Sequence, residues 1–490
     1  MTGNSVSIPV TGVSVNKSST YLAFTSSEQL IASCEPTNAS NQDMIWESSN
    51  ESAAIVDSDG LVTGVSKGET VITVRTVDGD FSDSCTVIVF EAGVLDTSFN
   101  SVGYVVHQNA SGGFDSMDLG HSVTEDNNGK IVVTGYSQGS GSMYLVVWRY
   151  NVDGTLDTSF NSQGYVVYNS GNDDRGRNLI VNGSGNIFVT GGSWDQYDMK
   201  VWKFTSSGVL DTVNFNPPNG YVMFDSGDQE DGRGISLDVN GNIVVCGYNR
   251  INDPFDMALW RYSDSGVLDT TNFNSPDGYV FFDGGDADVG YDVVTDASGN
   301  IYVAGYILSD SEANVAIWKY TSSGSLDTAN FNSPNGYVIF DGAGGAEYNG
   351  NSIALDANGK ILIAGGKYES SELKCAIYRF DSDGTLDTTF NSPHGYVGFE
   401  DEQGEAYALD IDESGNILVA DIFGKILRYT SLGHLDTQNF NPPYGYVNLD
   451  SASTNAELYD IHVDGNGMIS VTGSWAEGIN TGMAVWRFHN

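Results

Sequence analysis

The sequence predicts an all-β protein with two domains, a small β-sandwich followed by a seven-bladed β-propeller. The tripeptide Leu-Asp-Thr recurs seven times at intervals of about 50 to 60 residues, each time followed by Phe-Asn and then by Gly-Tyr-Val. Helical spacing of apolar residues is absent from these repeats, and the first ninety residues lack the repeat. The copies begin at Leu95, Leu156, Leu210, Leu268, Leu326, Leu386 and Leu435.

Each repeat contains four short segments of alternating apolar and polar residues, separated by turns rich in Gly, Asn, Asp and Ser. One segment follows a turn glycine, as in Gly185–Gly191, and another is an apolar-aromatic-basic run, as in Val147–Tyr150. This pattern is typical of a four-stranded antiparallel sheet. Seven such sheets arranged around an axis bury each other's faces and leave only short edges, which predicts a propeller.

The phase of the repeat predicts how the propeller closes. The first unit enters with an outer strand only, near 102–107, whereas the last unit ends after its third strand at 485–488. We therefore expect the segment around Tyr104 to complete the seventh blade beside Trp486. This pairing would join the N- and C-terminal strands of the propeller.

The first domain, residues 6–91, alternates strand-like segments with short turns, which predicts a β-sandwich. Four of its segments resemble the bacterial Ig-like domain of group 2: Thr11–Asn16, Ile45–Asn50, Val56–Val65 and Ser84–Val87. The repeats within residues 92–490 resemble the delta-60 repeat family of β-propellers. These resemblances imply a secreted or cell-surface bacterial protein whose Ig-like domain is a spacer, attachment or adhesion module. Neither family carries a catalytic motif over to this sequence.

Two charged residues and an aromatic residue recur in step with the repeat, which predicts structural roles for them. The basic positions are Arg149, Lys203, Arg261, Lys319, Arg379, Arg428 and Arg487. The acidic positions are Asp96, Asp157, Asp211, Asp269, Asp327, Asp387 and Asp436. We expect an ion pair or an Asx-type turn between them. The tryptophans before the basic residues are expected to pack between blades.

The charge of the chain restricts its partners. It has 64 acidic and 20 basic side chains, giving a formal net charge of −44 and a pI near 4.1. Such a chain repels phosphate backbones and anionic lipids, so we expect neither nucleic-acid binding nor membrane insertion. No run of apolar residues is long enough to span a bilayer. The N-terminal residues lack the features of a signal peptide, so any export signal or anchor is expected outside this sequence.

One variable position is the best candidate for ligand binding. It lies eight residues before the turn glycine of each repeat, where the innermost strand of a blade begins and where seven side chains would surround one mouth of the axial channel. The residues are His121, Arg177, Arg233, Tyr291, Asn351, Tyr407 and Tyr459. Aromatic platforms suit sugar rings, and nearby acids such as Asp231 and Asp288 suit a metal ion, with calcium the expected cation. The alternative is a solvated channel lining without a ligand.

The cysteines give a further prediction about the sandwich. Cys34 and Cys85 each lie on the inward face of a predicted strand, and antiparallel second and last strands would bring them to one end. A disulfide between them would indicate an oxidising compartment. Cys246 and Cys375 lie in different blades and are expected to be buried thiols.

The sixth repeat departs from the others. Its second and third strands are joined by Phe423, Gly424 and Lys425 alone, and Asp421 stands where the other repeats have glycine. The longer loops of other repeats carry aromatic residues that are either binding anchors or packed on their own hairpins: Trp194, Tyr197, Phe255, Tyr368 and Trp475.

The function predicted from these observations is that of a secreted or cell-surface binding or adhesion protein without enzymatic activity. The propeller would be the ligand platform, with a glycan or a surface protein as partner and no cofactor other than calcium. The first alternative is a self-assembling component of a surface layer or filament coat. The second is a carbohydrate-active enzyme that uses the channel mouth, since abundant carboxylates leave glycosidase-like pairs open.

Overall fold

A computed structural model describes residues 7–23, 27–112, 117–193, 198–250, 254–309, 312–341, 348–369, 372–399, 404–449, 454–477 and 480–490. All regular elements in these ranges are β-strands, and no helix occurs within them. The all-β class predicted from the sequence is therefore confirmed.

The first domain contains nine strands in three small sheets. They are β1 (Gly12–Val15), β2 (Ser19–Ala23), β3 (Ser27–Gln29), β4 (Ala32–Glu35), β5 (Met44–Ser48), β6 (Ala54–Val56), β7 (Leu61–Gly64), β8 (Gly68–Thr76) and β9 (Ser82–Phe90). The sheet orders are β1-β4, β2-β9-β8-β5 and β3-β7-β6. The alternating apolar residues of β8 and β9, such as Ile72 and Val87, are fully buried and form the centre of the core. The burial of every second residue is what a sandwich sheet with one solvated face requires.

The other twenty-eight strands form seven four-stranded sheets, which we call blades 1 to 7. Blade 1 contains β11 (Asp118–Glu125), β12 (Ile131–Gln138), β13 (Met143–Tyr150) and β14 (Tyr165–Tyr168). Blade 2 contains β15 (Asp174–Val181), β16 (Ile187–Ser193), β17 (Asp198–Phe204) and β18 (Tyr221–Phe224). Blade 3 contains β19 (Glu230–Leu237), β20 (Ile243–Asn249), β21 (Asp256–Tyr262) and β22 (Tyr279–Phe282). Blade 4 contains β23 (Asp288–Thr295), β24 (Ile301–Ser309), β25 (Glu312–Tyr320) and β26 (Tyr337–Phe340).

The last three blades follow the same antiparallel order. Blade 5 contains β27 (Tyr348–Leu355), β28 (Ile361–Glu369), β29 (Glu372–Phe380) and β30 (Tyr396–Gly398). Blade 6 contains β31 (Ala406–Ile411), β32 (Ile417–Asp421), β33 (Lys425–Tyr429) and β34 (Tyr446–Asn448). Blade 7 contains β35 (Thr454–Val463), β36 (Met468–Glu477) and β37 (Asn480–His489), with β10 (Tyr104–His107) as its fourth strand.

The strand pairing predicted for the two ends of the repeat region is present. Strand β10 pairs antiparallel with β37 and places Tyr104 opposite Trp486. The inner strand of blade 7 also contacts that of blade 1, where Asp460 Oδ2 accepts a hydrogen bond from Val123 N at 2.8 Å. The last blade is thus joined to the first part of the repeat region by a backbone ladder and a side-chain contact.

The repeated basic and acidic residues form an ion pair in every blade, as predicted. Nitrogen-to-oxygen distances run from 2.8 Å, as in Arg379–Asp387, to 3.8 Å in Arg487–Asp96. The same cations reach the next blade, where Arg487 Nη1 donates to Val152 O at 2.9 Å. The aspartates also accept hydrogen bonds from residues two or three positions later, which is an Asx-type turn. The tryptophans of the repeat are fully buried: Trp148, Trp202, Trp260, Trp318 and Trp486.

The predicted disulfide is not formed. All four cysteines lie within the described residues, and all are buried free thiols. Cys34 lies on β4 in a small cluster with Val10 and Ala39, whereas Cys85 lies on β9 in the main core of the sandwich. Strand β9 pairs with β2 and β8, and β4 pairs with β1, so the two thiols belong to different sheets. The prediction of a disulfide between them was wrong.

Blade 6 contains a compensated exchange of two side chains. Asp421 replaces the glycine of the other repeats on its second strand, and Gly404, just before the inner strand, stands where blades 1 to 4 have Asp or Glu. A Cβ atom added to Gly404 would lie 2.1 Å from Asp421 Oδ2, so the carboxylate fills the space that a side chain at 404 would need. Burial raises the pKa of Asp421 to about 6. The two departures from the repeat pattern are therefore one structural change.

Candidate functional site

The inner strand of every blade contains a β-bulge. In each blade the pairing of the first two strands shifts by one residue, as between Gly120 and Ser122 in blade 1. The extra residue stays outside the ladder, so its side chain is turned away from the regular alternation of the strand. The seven bulge residues are those picked out by the sequence: His121, Arg177, Arg233, Tyr291, Asn351, Tyr407 and Tyr459.

The seven bulge residues line one cavity, which we call the ring cavity. Its volume is about 390 Å³, and all seven residues lie in its wall. Residues that follow a bulge, among them Asn178, Asp292 and Asp460, also line the cavity. Because the backbone departs from the sheet at the same step in every blade, one position per repeat is enough to build the cavity.

One side of the ring cavity is cationic. Arg233 Nε lies 2.8 Å from Asp231 Oδ2, while Arg177 Nη2 lies 3.7 Å from the same oxygen, beyond hydrogen-bond distance. Burial lowers the pKa of Arg177 below its usual value. Burial alone would also lower the pKa of Arg233, but Asp231 and nearby tyrosines raise it. Arg175 lies nearby, its guanidinium over the ring of Tyr136 at 5.2 Å. One carboxylate is therefore shared by two arginines.

The opposite side of the ring cavity is aromatic. The rings of Tyr407 and Tyr459 meet edge to face with centroids 5.6 Å apart. The hydroxyl of Tyr459 donates to Glu457 Oε2 at 2.7 Å, which fixes the orientation of the ring. Burial and this hydrogen bond raise the pKa of Tyr459, so the phenol stays protonated at neutral pH. Two oriented tyrosine rings thus face the cavity.

The imidazole of His121 lies between the two sides. Its ring centroid is 4.9 Å from that of Tyr459 and 5.4 Å from that of Tyr136. Burial, together with repulsion from Arg177, Arg233 and Arg175, holds the pKa of His121 well below its usual value. The side chain is neutral at pH 7 and offers one donor and one acceptor nitrogen.

A hydrogen-bonded acid completes the wall in blades 5 and 6. Glu405 Oε1 accepts hydrogen bonds from Asn349 Nδ2 at 2.7 Å and from Asn351 Nδ2 at 2.9 Å. Burial raises the pKa of Glu405, although the two amides oppose the rise. Neither Glu405 nor Asn349 is a bulge residue, and both lie two residues before one. This period of two along a strand is the signal that could have identified Asn349 from the sequence.

Asp231 and Asp288, predicted together as metal ligands, occupy different places. Asp231 lies two residues before a bulge residue and is neutralised by Arg177 and Arg233. Asp288 lies three residues before Tyr291 and is fully buried on the side of the strand away from the ring cavity, near Asp256 and Asp283. A shift of one residue along a strand exchanges its faces, so counting from the sequence merged two positions. The carboxylate of Asp231 is engaged by arginine, whereas that of Asp288 lies beside two other acids.

The aromatic residues predicted on the longer loops pack on the protein where they are described, although Trp475 lies in strand β36 and not in a loop. Phe255 meets Tyr248 edge to face at 4.7 Å, and Trp475 stacks on Tyr104 at 5.3 Å. Trp194 and Tyr197 lie outside the described residues, as does the side chain of Tyr368.

Comparison with known protein families explains this arrangement of a sandwich followed by bladed repeats. Residues 9–87 match the bacterial Ig-like domain (group 2). Residues 127–160, 297–329 and 357–390 match a domain of unknown function (DUF5122) beta-propeller. Both resemblances seen in the sequence are confirmed, and the protein combines an Ig-like domain with a β-propeller domain.

Individual relatives cover small parts of the chain. Two uncharacterized proteins of Clostridium acetobutylicum are 36% identical over 94 residues and 34% identical over 87 residues. The matches cover 19% and 18% of this chain, and 23% and 9% of the respective relatives. Among solved structures, Sqt1 from Chaetomium thermophilum has a TM-score of 0.41 at 10% identity, covering 74% of this chain and 82% of Sqt1. A protein of unknown function from Dyadobacter fermentans has a TM-score of 0.41 at 11% identity, covering 79% of this chain and 98% of that protein.

The described residues contain no helix of the length and apolarity needed to cross a bilayer.

Proposed function

We propose that this protein is a secreted or cell-surface binding protein whose ring cavity takes a carbohydrate that carries a carboxylate group. The observation that carries the proposal is the convergence of all seven bulge residues on one cavity, with arginines on one side and tyrosines on the other. Pockets that combine aromatic surfaces with a few oriented polar groups are the usual form of small-ligand sites.

The arginine side favours an acidic group on the ligand. The whole chain carries a formal charge of −44, yet Arg177 and Arg233 both line the ring cavity, and Arg175 lies nearby over the ring of Tyr136. Arg177 lies 3.7 Å from its nearest carboxylate oxygen, so its guanidinium can still donate hydrogen bonds to a closer anionic partner. A planar guanidinium binds a carboxylate with two parallel hydrogen bonds, and burial strengthens such a contact.

The tyrosine side favours a sugar ring. Tyr407 and Tyr459 present oriented aromatic surfaces, and Asn351 together with neutral His121 supplies hydrogen-bond groups for hydroxyls. A ring that is apolar on its faces and polar at its edge matches this combination. An acidic sugar would place its carboxylate at Arg177 and its ring against Tyr407.

The location at the cell surface is part of the same proposal. It is supported by the match of residues 9–87 to a bacterial Ig-like domain. The Ig-like domain would act as a spacer or attachment module that presents the propeller. We also propose that the seven blades form a closed ring, supported by the pairing of β10 with β37 and by the hydrogen bond from Arg487 to Val152.

We propose binding without catalysis, because the acids of the cavity wall already have partners. Asp231 is paired with two arginines, Glu405 accepts hydrogen bonds from two amides, and Glu457 accepts one from Tyr459. A general acid or nucleophile needs a carboxylate that is available to the substrate. Incubation with acidic and neutral oligosaccharides should therefore leave them unchanged, and turnover by the purified protein would contradict this part of the proposal.

The binding proposal is tested by calorimetry on the full chain with uronic-acid oligosaccharides and with neutral oligosaccharides of equal length. We expect saturable binding of the acidic set, weakened about fivefold to a hundredfold by Arg177→Gln or by Tyr407→Ala, since each loss removes on the order of 1–3 kcal/mol.

Matched controls for these variants lie away from the cavity. Arg75→Gln changes a partly exposed arginine of the sandwich, and Tyr444→Ala changes a tyrosine that is 57% exposed. Both should bind as the unmodified protein does. Absence of heat with every oligosaccharide, or equal loss of binding in the controls, would overturn the proposal.

A further inference from the structure

Two equivalent carboxylate triads lie at successive blade boundaries. The first triad consists of Asp198, Asp225 and Glu230, and the second of Asp256, Asp283 and Asp288. In each triad one oxygen per residue lies within 4.8 Å of the others. The first two members begin the third strand and follow the fourth strand of one blade, and the last member begins the inner strand of the next. Each triad therefore joins two blades.

A buried oxygen without a partner is present in both triads. Glu230 and Asp288 are fully buried, and Glu230 Oε2 and Asp288 Oδ1 have no hydrogen-bond partner among the described residues. The other oxygen of Asp288 accepts a hydrogen bond from Gly284 N, and that of Glu230 accepts from Ser226 and Asn249. An unpaired buried carboxylate oxygen is costly, so buried polar atoms normally have partners. Both residues belong to acidic triads, so each triad contains a buried carboxylate oxygen that is available to a cation.

In blades 1 and 2, the carboxylate at the equivalent position has partners within the chain. At the equivalent position of blade 2, Asp174 Oδ1 lies 3.3 Å from Lys200 Nζ. At the equivalent position of blade 1, Asp118 accepts hydrogen bonds from Ser137 Oγ and from Ala110 N. These carboxylates are satisfied by the chain itself.

Blades 3 and 4 lack the lysine. The strand pairing places Ala258 and Ala316 at the position that Lys200 has in blade 2. The carboxylates of Glu230 and Asp288 each lie beside two more acids, whereas that of Asp174 lies beside a lysine.

We propose that each triad binds one calcium ion, so that two calcium ions connect blade 2 to blade 3 and blade 3 to blade 4. The ligands are carboxylate oxygens, with no His or Cys in either triad, which is the donor set of a hard cation. Oxygens bound to one calcium at about 2.3–2.6 Å lie within about 5 Å of each other, as these do. These sites are separate from the ring cavity and do not depend on its ligand.

Calorimetric titration of the full chain with calcium chloride, after EDTA treatment and desalting, tests the proposal. In about 150 mM salt, which screens diffuse attraction to the acidic surface, we expect two bound ions per chain. Asp288→Asn and Glu230→Gln should each remove one of the two, and the double variant should remove both. Asp286→Asn is the matched control, because it removes one exposed charge from the same loop without touching the triad.

Thermal unfolding separates a lost site from a damaged fold. In EDTA, Asp288→Asn should unfold at a temperature no lower than the unmodified protein, because it removes an uncompensated buried charge. Added calcium should raise the unfolding temperature of the unmodified protein more than that of Asp288→Asn. Saturable binding that persists in the double variant, or the absence of saturable binding in the unmodified protein, would overturn the proposal.

Discussion

Tyr104 lies directly opposite Trp486 in the antiparallel pair β10 and β37, although almost the whole repeat region separates the two residues in the chain. The ring of Tyr104 also stacks on Trp475 at 5.3 Å, and Trp475 lies next to Trp486. The outer strand of blade 7 is therefore held by its backbone ladder and by aromatic contacts. The stability of blade 7 depends on residues from both ends of the repeat region.

The first prediction concerns this terminal pairing. Val105→Pro removes a backbone N–H from β10 opposite Val485, and a proline ring disrupts a strand ladder. We expect a loss of unfolding free energy on the order of 1–3 kcal/mol, measured by urea denaturation with tryptophan fluorescence. Val222→Pro on β18 makes the same change in a blade built from continuous chain. If β10 is an integral strand of blade 7, the two variants should lose similar amounts of unfolding free energy. A Val105→Pro variant as stable as the unmodified protein would contradict this prediction.

The second prediction concerns the repeated ion pair of blade 5. Burial alone would raise the pKa of Asp387, but hydrogen bonds from Lys360 and Thr389 and the charge of Arg379 hold it well below its usual value. A carboxyl group with a lowered pKa stabilises the fold above its unfolded pKa of about 4, and this contribution is lost as the pH falls below that value. Asp387→Asn should therefore reduce stability at pH 7, with a smaller difference at pH 2 to 3.

Urea denaturation across this pH range measures the effect. Asp381→Asn is a useful control, because Asp381 also bonds Lys360, at 2.6 Å, but is more exposed and lacks the contact to Arg379. Its effect at pH 7 should be smaller. A difference between Asp387→Asn and the unmodified protein that stays constant with pH would contradict the assignment.

The third prediction concerns Asp292, an acid that also lines the ring cavity. Asp292 Oδ2 accepts hydrogen bonds from Ile353 N at 3.1 Å and Ser352 Oγ at 3.2 Å, both in the next blade. Burial raises the pKa of Asp292 to about 6. Because the pKa is raised in the folded state, protonation of Asp292 favours folding. Its contribution to the free energy of unfolding is complete below the unfolded pKa of about 4 and is lost as the pH rises through 6.

Asp292→Asn removes this titration while keeping the shape of the side chain. The unfolding free energy of the variant should therefore fall less between pH 4 and pH 8 than that of the unmodified protein. Denaturation curves at closely spaced pH values give the comparison. Identical pH profiles would show that Asp292 has an unshifted pKa.

The fourth prediction concerns the exchange of side chains in blade 6. Gly404→Ala should destabilise the protein by about 1–3 kcal/mol, because the new Cβ atom would lie 2.1 Å from Asp421 Oδ2. In the Asp421→Gly background the same substitution should cost much less, since the obstructing carboxylate is gone. A double-mutant cycle by urea denaturation measures this coupling. Gly465→Ala, where a Cβ atom would meet nothing within 4 Å, serves as control; additive effects at 404 and 421 would contradict the exchange.

Much of the fold could be predicted from the sequence because the same residue pattern recurs in seven repeats. The ion pairs of residues such as Arg379 and Asp387, the buried tryptophans and the pairing of Tyr104 with Trp486 were all predicted. The seven bulge residues were also identified, because each lies at a fixed distance from a turn glycine. Periodic patterns of this kind survive in a single sequence, since each blade repeats the same packing problem.

Predictions that depended on one residue's exact facing were less secure. Counting placed Asp231 with Asp288, but a difference of one position along a strand sends their carboxylates to opposite faces. A disulfide between Cys34 and Cys85 depended on which strands share a sheet. The alternation of residues within one strand does not contain that information.

The sequence by itself determined the two-domain all-β architecture, the seven repeats and the position in each repeat that lines the ring cavity. Only the tertiary structure decided that Asp231 serves two arginines, that Asp421 fills the space beside Gly404, and that two acidic triads form at blade boundaries. The reason is physical. Repeats record contacts that recur in every blade, whereas these contacts join different blades or replace one side chain by another, and they exist only once the strands are packed.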